Sequence, residues 1–259
     1  NIFVYYLFRT VATVDHPSTS ALSATSGTFS TSLDVTNNLG VGVSPTTSYG
    51  RVTQIHDTGT SGANLRLTDS TSGSGTGNGF EIIQIGVNNY MINRETGFIS
   101  LYTSNAEALK IDSAGHVTKP KQPAFLVKPA SNQTNLTVGA FTTVVFGTEI
   151  FDQNSDFASN VFTAPVTGRY QFNVEILLQA VNNAYEYIDV QLITSNRNYI
   201  NDMTPDHFMN TDSTLHMGIN VLADMDAGDT AYVRIAVPNA GSAQTDVHTY
   251  SSFSGYLVA

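Results

Sequence analysis

The sequence of 259 residues lacks cysteine and tryptophan, and only 12% of its residues are charged, about half the share usual in soluble domains. Without cysteine, the chain has no disulfide framework and no thiolate-ligated zinc or iron–sulfur site. No apolar run approaches the roughly 20 residues that a membrane-spanning helix needs, so we expect no membrane insertion. Ser, Thr, Asn, Gln and 20 Gly fill the chain instead, and this mixture favours strands and turns over helices.

Charge is distributed unevenly along the chain. Residues 1–130 hold 8 basic and 8 acidic residues, whereas residues 131–259 hold 3 Arg and 13 Asp or Glu, which gives the second half the whole net charge of −10. Because a nucleic-acid binder needs a cationic surface, that class is disfavoured. The change of charge, together with the Lys-Pro-Lys-Gln-Pro run, predicts a stiff linker over residues 119–129.

The first half of the chain has little apolar sequence from which to build a core. Residues 17–79 are dominated by Ser, Thr and Gly, although short alternating runs such as Leu39, Val41 and Val43 are typical of half-buried strands. Such a segment is either disordered or ordered by neighbouring copies, and the alternation favours the second. We therefore predict a shaft of short strands and turns over residues 17–118, preceded by an attachment segment at residues 1–16.

Residues 130–259 have the pattern of an independent β domain. In the clearest strand, Tyr170, Phe172, Val174 and Ile176 alternate with polar residues, which predicts one buried face and one face in water. Ile188, Val190 and Leu192 predict the same arrangement against Tyr187, Asp189 and Gln191. Many short strands separated by polar turns indicate a sandwich or jelly roll.

Three ordered stretches of this domain resemble the complement C1q-type head, a relative of the tumour necrosis factor jelly roll. They are residues 162–172 (FTAPVTGRYQF), 222–233 (LADMDAGDTAYV) and 250–257 (YSSFSGYL). The resemblance implies a jelly roll that assembles as a homotrimer. It makes four aromatic residues candidates for trimer packing: Tyr170, Phe172, Phe253 and Tyr256.

A second resemblance covers residues 33–118 and is to phage tail-fibre and tail-appendage segments. It is carried by residues 34–45 (DVTNNLGVGVSP), 78–82 (NGFEI), 93–97 (NRETG) and 109–117 (LKIDSAGHV). It implies a trimeric β shaft behind a receptor-binding tip. No collagen-like Gly-X-Y stalk precedes the head in this sequence, unlike in animal complement relatives, and this favours the viral setting. The fold class we predict is all-β: an extended trimeric β shaft followed by a C-terminal antiparallel jelly-roll sandwich.

Catalytic signatures are lacking, and we predict that the chain is not an enzyme. It has no cysteine nucleophile, no Gly-x-Ser-x-Gly elbow, no phosphate-binding loop and no His-Glu-x-x-His pair. The one cofactor considered is calcium, because Asp224, Asp226 and Asp229 supply the hard oxygen ligands that this ion prefers. Ordinary solvated turns also choose these residues.

Recognition is the more plausible role for the head. Predicted loops and strand ends combine tyrosines, which offer a flat apolar surface with a polar tip, and asparagines, which offer paired donors and acceptors for polar ligands. The candidate receptor-binding residues are Asn182, Asn183, Tyr185, Tyr187, Arg197 and Tyr199.

The sequence thus predicts a homotrimeric phage fibre that adheres to a host cell through its head. Its predicted location is the virion, outside the cell. Its partners are other copies of itself, a host surface glycan or protein, and other virion proteins through its N-terminus, but not nucleic acid. Two alternatives stay open: a structural decoration or head fibre of a virion without receptor binding, and a secreted C1q-like lectin.

Overall fold

The computed structural model describes residues 39–41, 53–207, 210, 213–237 and 244–259. These residues fall into two compact units, one that ends at Glu95 and one that spans Thr96–Ala259. The predicted attachment segment at residues 1–16 lies outside the described residues, as does the beginning of the predicted shaft. Within the described ranges, no helix combines the length and the apolar character that crossing a membrane requires.

The all-β class predicted from the sequence is confirmed, since the described ranges contain strands, turns and a single 3₁₀ turn at Pro205–His207. The strands of the first unit are β1 (Leu39–Val41), β2 (Thr53–Ile55), β3 (Ala63–Leu67), β4 (Phe80–Ile85) and β5 (Asn88–Asn93). Those of the second unit are β6 (Ile99–Thr103), β7 (Ala106–Ile111), β8 (Val117–Thr118), β9 (Ala124–Lys128), β10 (Phe141–Thr143), β11 (Thr148–Asp152), β12 (Phe157–Ala158), β13 (Val161–Thr163), β14 (Gly168–Val181), β15 (Ile188–Thr194), β16 (Asn198–Met203), β17 (Ser213–Met225), β18 (Thr230–Ala236), β19 (Asp246–Val247) and β20 (Ser252–Leu257).

In the first unit, β3, β4 and β5 form an antiparallel three-stranded sheet with β4 in the middle. Gly86, with φ of 59°, starts the two-residue loop between β4 and β5, as expected for a hairpin turn that needs a positive φ at its first central position. The side chain of Glu81 on β4 has no solvent exposure because Arg66 and Arg94 both pair with its carboxylate. The Glu81 carboxylate is therefore shielded from water by two arginine side chains, and not by an apolar core.

The second unit begins with another antiparallel three-stranded sheet, made of β6, β7 and β8. Ser104 and Asn105 connect β6 to β7 with φ values of 49° and 62°. Two consecutive residues with positive φ are characteristic of the type I′ turn, whose twist matches that of the strands it joins. Like the sheet of the first unit, this one lies in the part of the sequence predicted to be a shaft of short strands and turns.

The head is a sandwich of two sheets. One has the strand order β11-β9-β20-β14-β17, with β19 also paired to β14, and the other has the order β12-β13-β18-β15-β16, with β10 also paired to β18. The alternation predicted for β14 is confirmed, because its inward side chains have no exposure to solvent. The core between the sheets contains an aromatic cluster of Phe125, Phe146, Phe157, Phe162, Tyr170, Phe172 and Phe253.

The head begins earlier than the sequence predicted. Residues 124–128, placed by prediction in the linker, form strand β9 between β11 and β20, and Phe125 and Val127 are buried in the core. The preceding residues are fixed to the head, since the Gln153 Nε2 donates to the carbonyls of Lys119 and Gln122 at 2.9 and 2.7 Å. The sandwich therefore starts at Ala124, directly after the proline-rich residues.

Candidate binding surface of the head

The loop between β14 and β15 holds four of the predicted receptor-binding residues, and two of them maintain the loop. The Asn182 Oδ1 accepts a hydrogen bond from the Ala184 backbone at 2.9 Å. Tyr185 is buried, with its hydroxyl 2.9 Å from that of Thr245. Tyr187 is 38% exposed and Asn183 is half-buried. This loop therefore exposes the Tyr187 side chain, whereas Asn182 and Tyr185 are engaged within the protein.

Arg197 lies just before β16 and Tyr199 lies near its start, and the two side chains have different environments. The Arg197 Nε and Nη2 donate hydrogen bonds to the Asp224 carboxylate oxygens, with donor–acceptor distances of 2.5 to 3.2 Å. Both side chains are exposed. Hydrogen bonds from Arg197 lower the pKa of Asp224, and the same contacts raise the pKa of Arg197. Tyr199 packs on the core and is partly buried. Arg197 is thus already paired, and a ligand would have to compete with Asp224 for it.

The three aspartates predicted to bind calcium do not form a metal site. Asp224 is held by Arg197, and the Asp229 Oδ2 accepts hydrogen bonds from the Asp226 backbone at 2.8 Å and from Asn196 at 3.0 Å. In the described parts of the chain, no group of three or more acidic or histidine side chains is arranged to hold a metal. Asp226 and Asp229 instead shape the turn between β17 and β18, as aspartates in solvated turns commonly do.

Three of the four predicted trimer-packing residues point into the sandwich. Tyr170, Phe172 and Phe253 have no exposure to solvent because they form part of the aromatic cluster between the sheets. A partner subunit cannot reach these side chains on the surface, so the prediction that they pack in a trimer interface is wrong. Tyr256 is 48% exposed, and its role in trimer packing stays a prediction.

A surface on the outside of the second sheet was missed by the sequence reading. Its members share one face by strand register, because Arg234 on β18 is paired with Gln191 on β15, and Gln191 with Ile200 on β16. Phe141 on β10 lies against the Arg234 guanidinium, 3.9 Å from the ring centroid to its central carbon. We call this surface the Arg234 patch, and it consists of Phe141, Asp189, Gln191, Ile200 and Arg234.

Within the Arg234 patch, a chain of hydrogen bonds orients the polar groups. The Arg234 Nε donates to the Gln191 Oε1 at 2.8 Å, and the Gln191 amide nitrogen donates to the Asp189 Oδ2. Gln191 and Asp189 are buried, which corrects the prediction that this side of β15 faces water. Burial raises the pKa of Asp189, and its Oδ1 has no hydrogen-bond partner in the described structure. Phe141 and Ile200 remain exposed at the edges of the patch.

The patch therefore combines an aromatic ring, an aliphatic side chain and a guanidinium stacked on the ring. A planar cation on an aromatic face is a common recognition element, because it presents hydrogen-bond donors beside an apolar surface. Alternation placed Asp189 and Gln191 correctly on the face opposite the core, but it did not predict that they would be buried there. The pairing of β15 with β18 and β16, which brings Arg234 and Ile200 beside them, depends on the sandwich topology.

Comparison with known protein families matches residues 124–258, just over half of the chain, to the C1q domain. The chain belongs to the C1q domain family. This confirms the C1q-type resemblance and the antiparallel jelly-roll sandwich predicted for the head. The family match also begins at the first residue of β9, in agreement with the start of the sandwich.

The solved structures similar to part of this chain include two from different organisms. The globular domain of zebrafish complement 1qA protein is 17% identical, with a TM-score of 0.39, and the match covers 54% of this chain and 98% of that one. Murine APRIL at pH 8.0 is 12% identical, with a TM-score of 0.40, and the match covers 54% of this chain and 100% of that one. The search of curated proteins found no match.

Proposed function

We propose that this chain is a homotrimeric viral fibre protein, from a phage, whose C1q domain adheres to the surface of the host cell. C1q-type and tumour necrosis factor-type domains typically form homotrimers and are typically binding modules without enzymatic activity. The observation that carries the proposal is the order of parts: two three-stranded β-sheets with exposed apolar side chains precede a C1q domain. The fibre would reside on the virion, with its N-terminal segment attached to other virion proteins.

Binding by such a head would depend on many weak contacts made together. Three copies on one shaft present three identical surfaces, and linking weak sites raises the overall avidity well above the affinity of each site. The Arg234 patch is the surface of the head best suited to a polar ligand with an apolar side, such as a surface glycan. Tyr187 and Asn183 supply a second group of contacts at the β14–β15 loop.

Labelled full-length protein tests this proposal on host cells. We expect it to stain a susceptible bacterial strain and to leave a resistant strain of the same species dark. Arg234→Ala should weaken staining about tenfold or more, because stacked arginines are frequent hot spots of binding. Ile150→Ala, an exposed residue on β11 outside the patch, is the matched control and should bind like the parent protein.

The outcomes separate the adhesive fibre from its alternatives. A trimer that stains no strain at any concentration would leave a structural decoration of the virion as its function. Staining of animal cells or binding to immobilised glycans, without any bacterial host, would favour a secreted C1q-like lectin. The membership of the C1q domain family is the observation that keeps the lectin as the second candidate.

A further inference from the structure

Strand register places five aliphatic side chains of the sheet formed by β6, β7 and β8 on one side, together with the Thr103–Ala106 pair. Strand register places Ile99 opposite Ile111, and Leu101 opposite Leu109, and it places Ile111 opposite Val117. Because directly opposed residues and residues two apart share a face, these five aliphatic side chains lie on one side of the sheet. We call this side the aliphatic face: Ile99, Leu101, Leu109, Ile111 and Val117.

The other side of the same sheet is polar and makes its own contacts. The Ser100 hydroxyl donates to the Glu107 carboxylate at 2.9 Å, and the Lys110 ammonium lies 4.2 Å from the centroid of the Phe98 ring. Tyr102, on this side as well, is 60% exposed. The polar side therefore has the character of a surface that faces water.

Among the described residues, the aliphatic face is not buried against a second layer. Leu101 and Val117 are 51% and 54% exposed, and the other three side chains of the face are half-buried. A stable domain buries the apolar side of a sheet against another layer, and complete burial of a leucine or valine stabilises by about 1.5–3 kcal/mol. The face is thus the side of the sheet on which burial would stabilise the shaft most.

The covalent connection to the head favours other copies of this chain as that second layer. Five residues separate Thr118 from Ala124, and the six Cα-to-Cα steps between these two residues span at most about 22 Å. The Asn154 side chain donates to the Lys121 carbonyl at 3.1 Å, which helps to fix the five residues to the head. When heads associate, their attached sheets are therefore brought to a millimolar effective concentration. Since the aliphatic face carries no charged side chain, identical faces meet without repulsion between like charges.

We propose that the aliphatic face packs against the same face of two further copies and forms the apolar interior of the shaft next to the head. This inference rests on the trimer of the proposed function, but not on adhesion to a host. It places Leu101 and Val117 at the interface between copies and leaves Tyr102 in water.

Because this chain contains no cysteine, a single introduced thiol in it can be probed unambiguously. In Leu101→Cys, we expect the thiol to react with maleimide at least about tenfold more slowly in the native trimer than in denaturant. In Tyr102→Cys, on the polar side, the thiol should react quickly in both. Oxidation of Leu101→Cys or Val117→Cys with copper–phenanthroline should yield disulfide-linked dimers on a denaturing gel, with the third chain of each trimer unlinked. Tyr102→Cys should yield almost none.

Two results would overturn the inference. Equal maleimide rates in Leu101→Cys and Tyr102→Cys would mean that nothing covers the aliphatic face. The second result combines two observations: the Leu101→Cys thiol is protected but forms no linked dimers, and mass spectrometry finds this thiol cross-linked only to residues 1–52 of the same chain. It would mean that the chain covers its own aliphatic face. Neither result depends on staining of host cells. A trimer held by its heads with a reactive Leu101→Cys thiol therefore refutes this inference and leaves the proposed function standing.

Discussion

Phe253 and Tyr256 belong to the same strand and are three residues apart, yet they point to opposite sides of the head. Phe253 lies 4.9 Å from Phe125, between ring centroids, inside the aromatic cluster. Tyr256 is on the outside of the same sheet. Side chains three residues apart in a strand point to opposite faces of the sheet. Aromatic residues near the C-terminus therefore cannot be assigned to the core or to an interface from their presence in the sequence alone.

This pair yields a prediction at the residue scale. Phe253→Ala should lower the free energy of unfolding by about 3–5 kcal/mol at every protein concentration, because it leaves a cavity in the core of each copy. Tyr256→Ala should change that free energy by less than about 0.5 kcal/mol within one copy, and any larger effect should appear as weaker association. Urea denaturation followed at several protein concentrations distinguishes these outcomes. A Phe253→Ala variant that unfolds like the parent but dissociates more readily would place Phe253 at the interface after all.

At the scale of elements, Glu81 and its partners hold together the sheet of β3, β4 and β5. A hydrogen bond from Arg94, at 2.9 Å, is the main reason that the pKa of Glu81 lies at about 2, and Asn64 and Arg66 lower it further. A carboxylate whose pKa is lower in the folded state stabilises that state above its unfolded pKa and loses this effect as the pH falls. The stabilisation is therefore lost between about pH 4.5 and about pH 2.

We expect this sheet to open in acid before the head does. Pepsin, which is active in this range, should cut residues 63–93 increasingly as the pH falls from 4.5 to 2, while the head stays intact. Arg94→Met should make the sheet susceptible already at the upper end of that range, because the main partner of Glu81 is gone. Lys110→Met, a matched loss of charge in the sheet of β6 to β8, should leave the pepsin pattern of residues 63–93 unchanged. Cleavage that does not vary with pH would contradict the role of Glu81.

The elements also show which parts of the fold follow from local pattern. The alternation of β14 predicted its buried face correctly because that strand has one side in the core and one side open. In β15 the same alternation predicted the core-facing side chains correctly, but not the burial of Asp189 and Gln191 on the opposite face, where the Arg234 side chain lies against Gln191. Strand β9 was mistaken for a linker because the prolines beside it dominate its local pattern, while its burial arises from contacts with β20, more than 120 residues later.

The candidate site was predictable only in part for the same reason. The tyrosine- and asparagine-rich loop could be recognised from its composition. The composition could not predict that the Tyr185 side chain would turn inward and contact Thr245. The Arg234 patch brings the hairpin of β15 and β16 together with β18 and β10, and these three parts are far apart in sequence. Local pattern carries no information on which strands become neighbours, so this surface had to be found from the topology.

At the scale of the whole molecule, the uneven charge of the chain bears on its assembly. Residues 131–259 carry the net charge of −10, whereas residues 1–130 are neutral. Three heads brought together would therefore repel one another, and the neutral shaft would not. Dissolved salt screens such repulsion over a Debye length that falls from about 30 Å at 0.01 M to about 3 Å at 1 M.

We therefore expect the trimer of the full-length chain to be more stable in high salt. Sedimentation equilibrium should give a smaller dissociation constant in concentrated than in dilute sodium chloride, because screening reduces the repulsion between acidic heads. Sodium sulfate at the same ionic strength is the control, since any difference between the two salts reports the exclusion of sulfate from apolar surface and not screening. Weaker association in high salt would mean that ion pairs between copies dominate the interface. In that case the aliphatic face and the exposed Tyr256 would contribute less to assembly than attractive charge contacts between the heads.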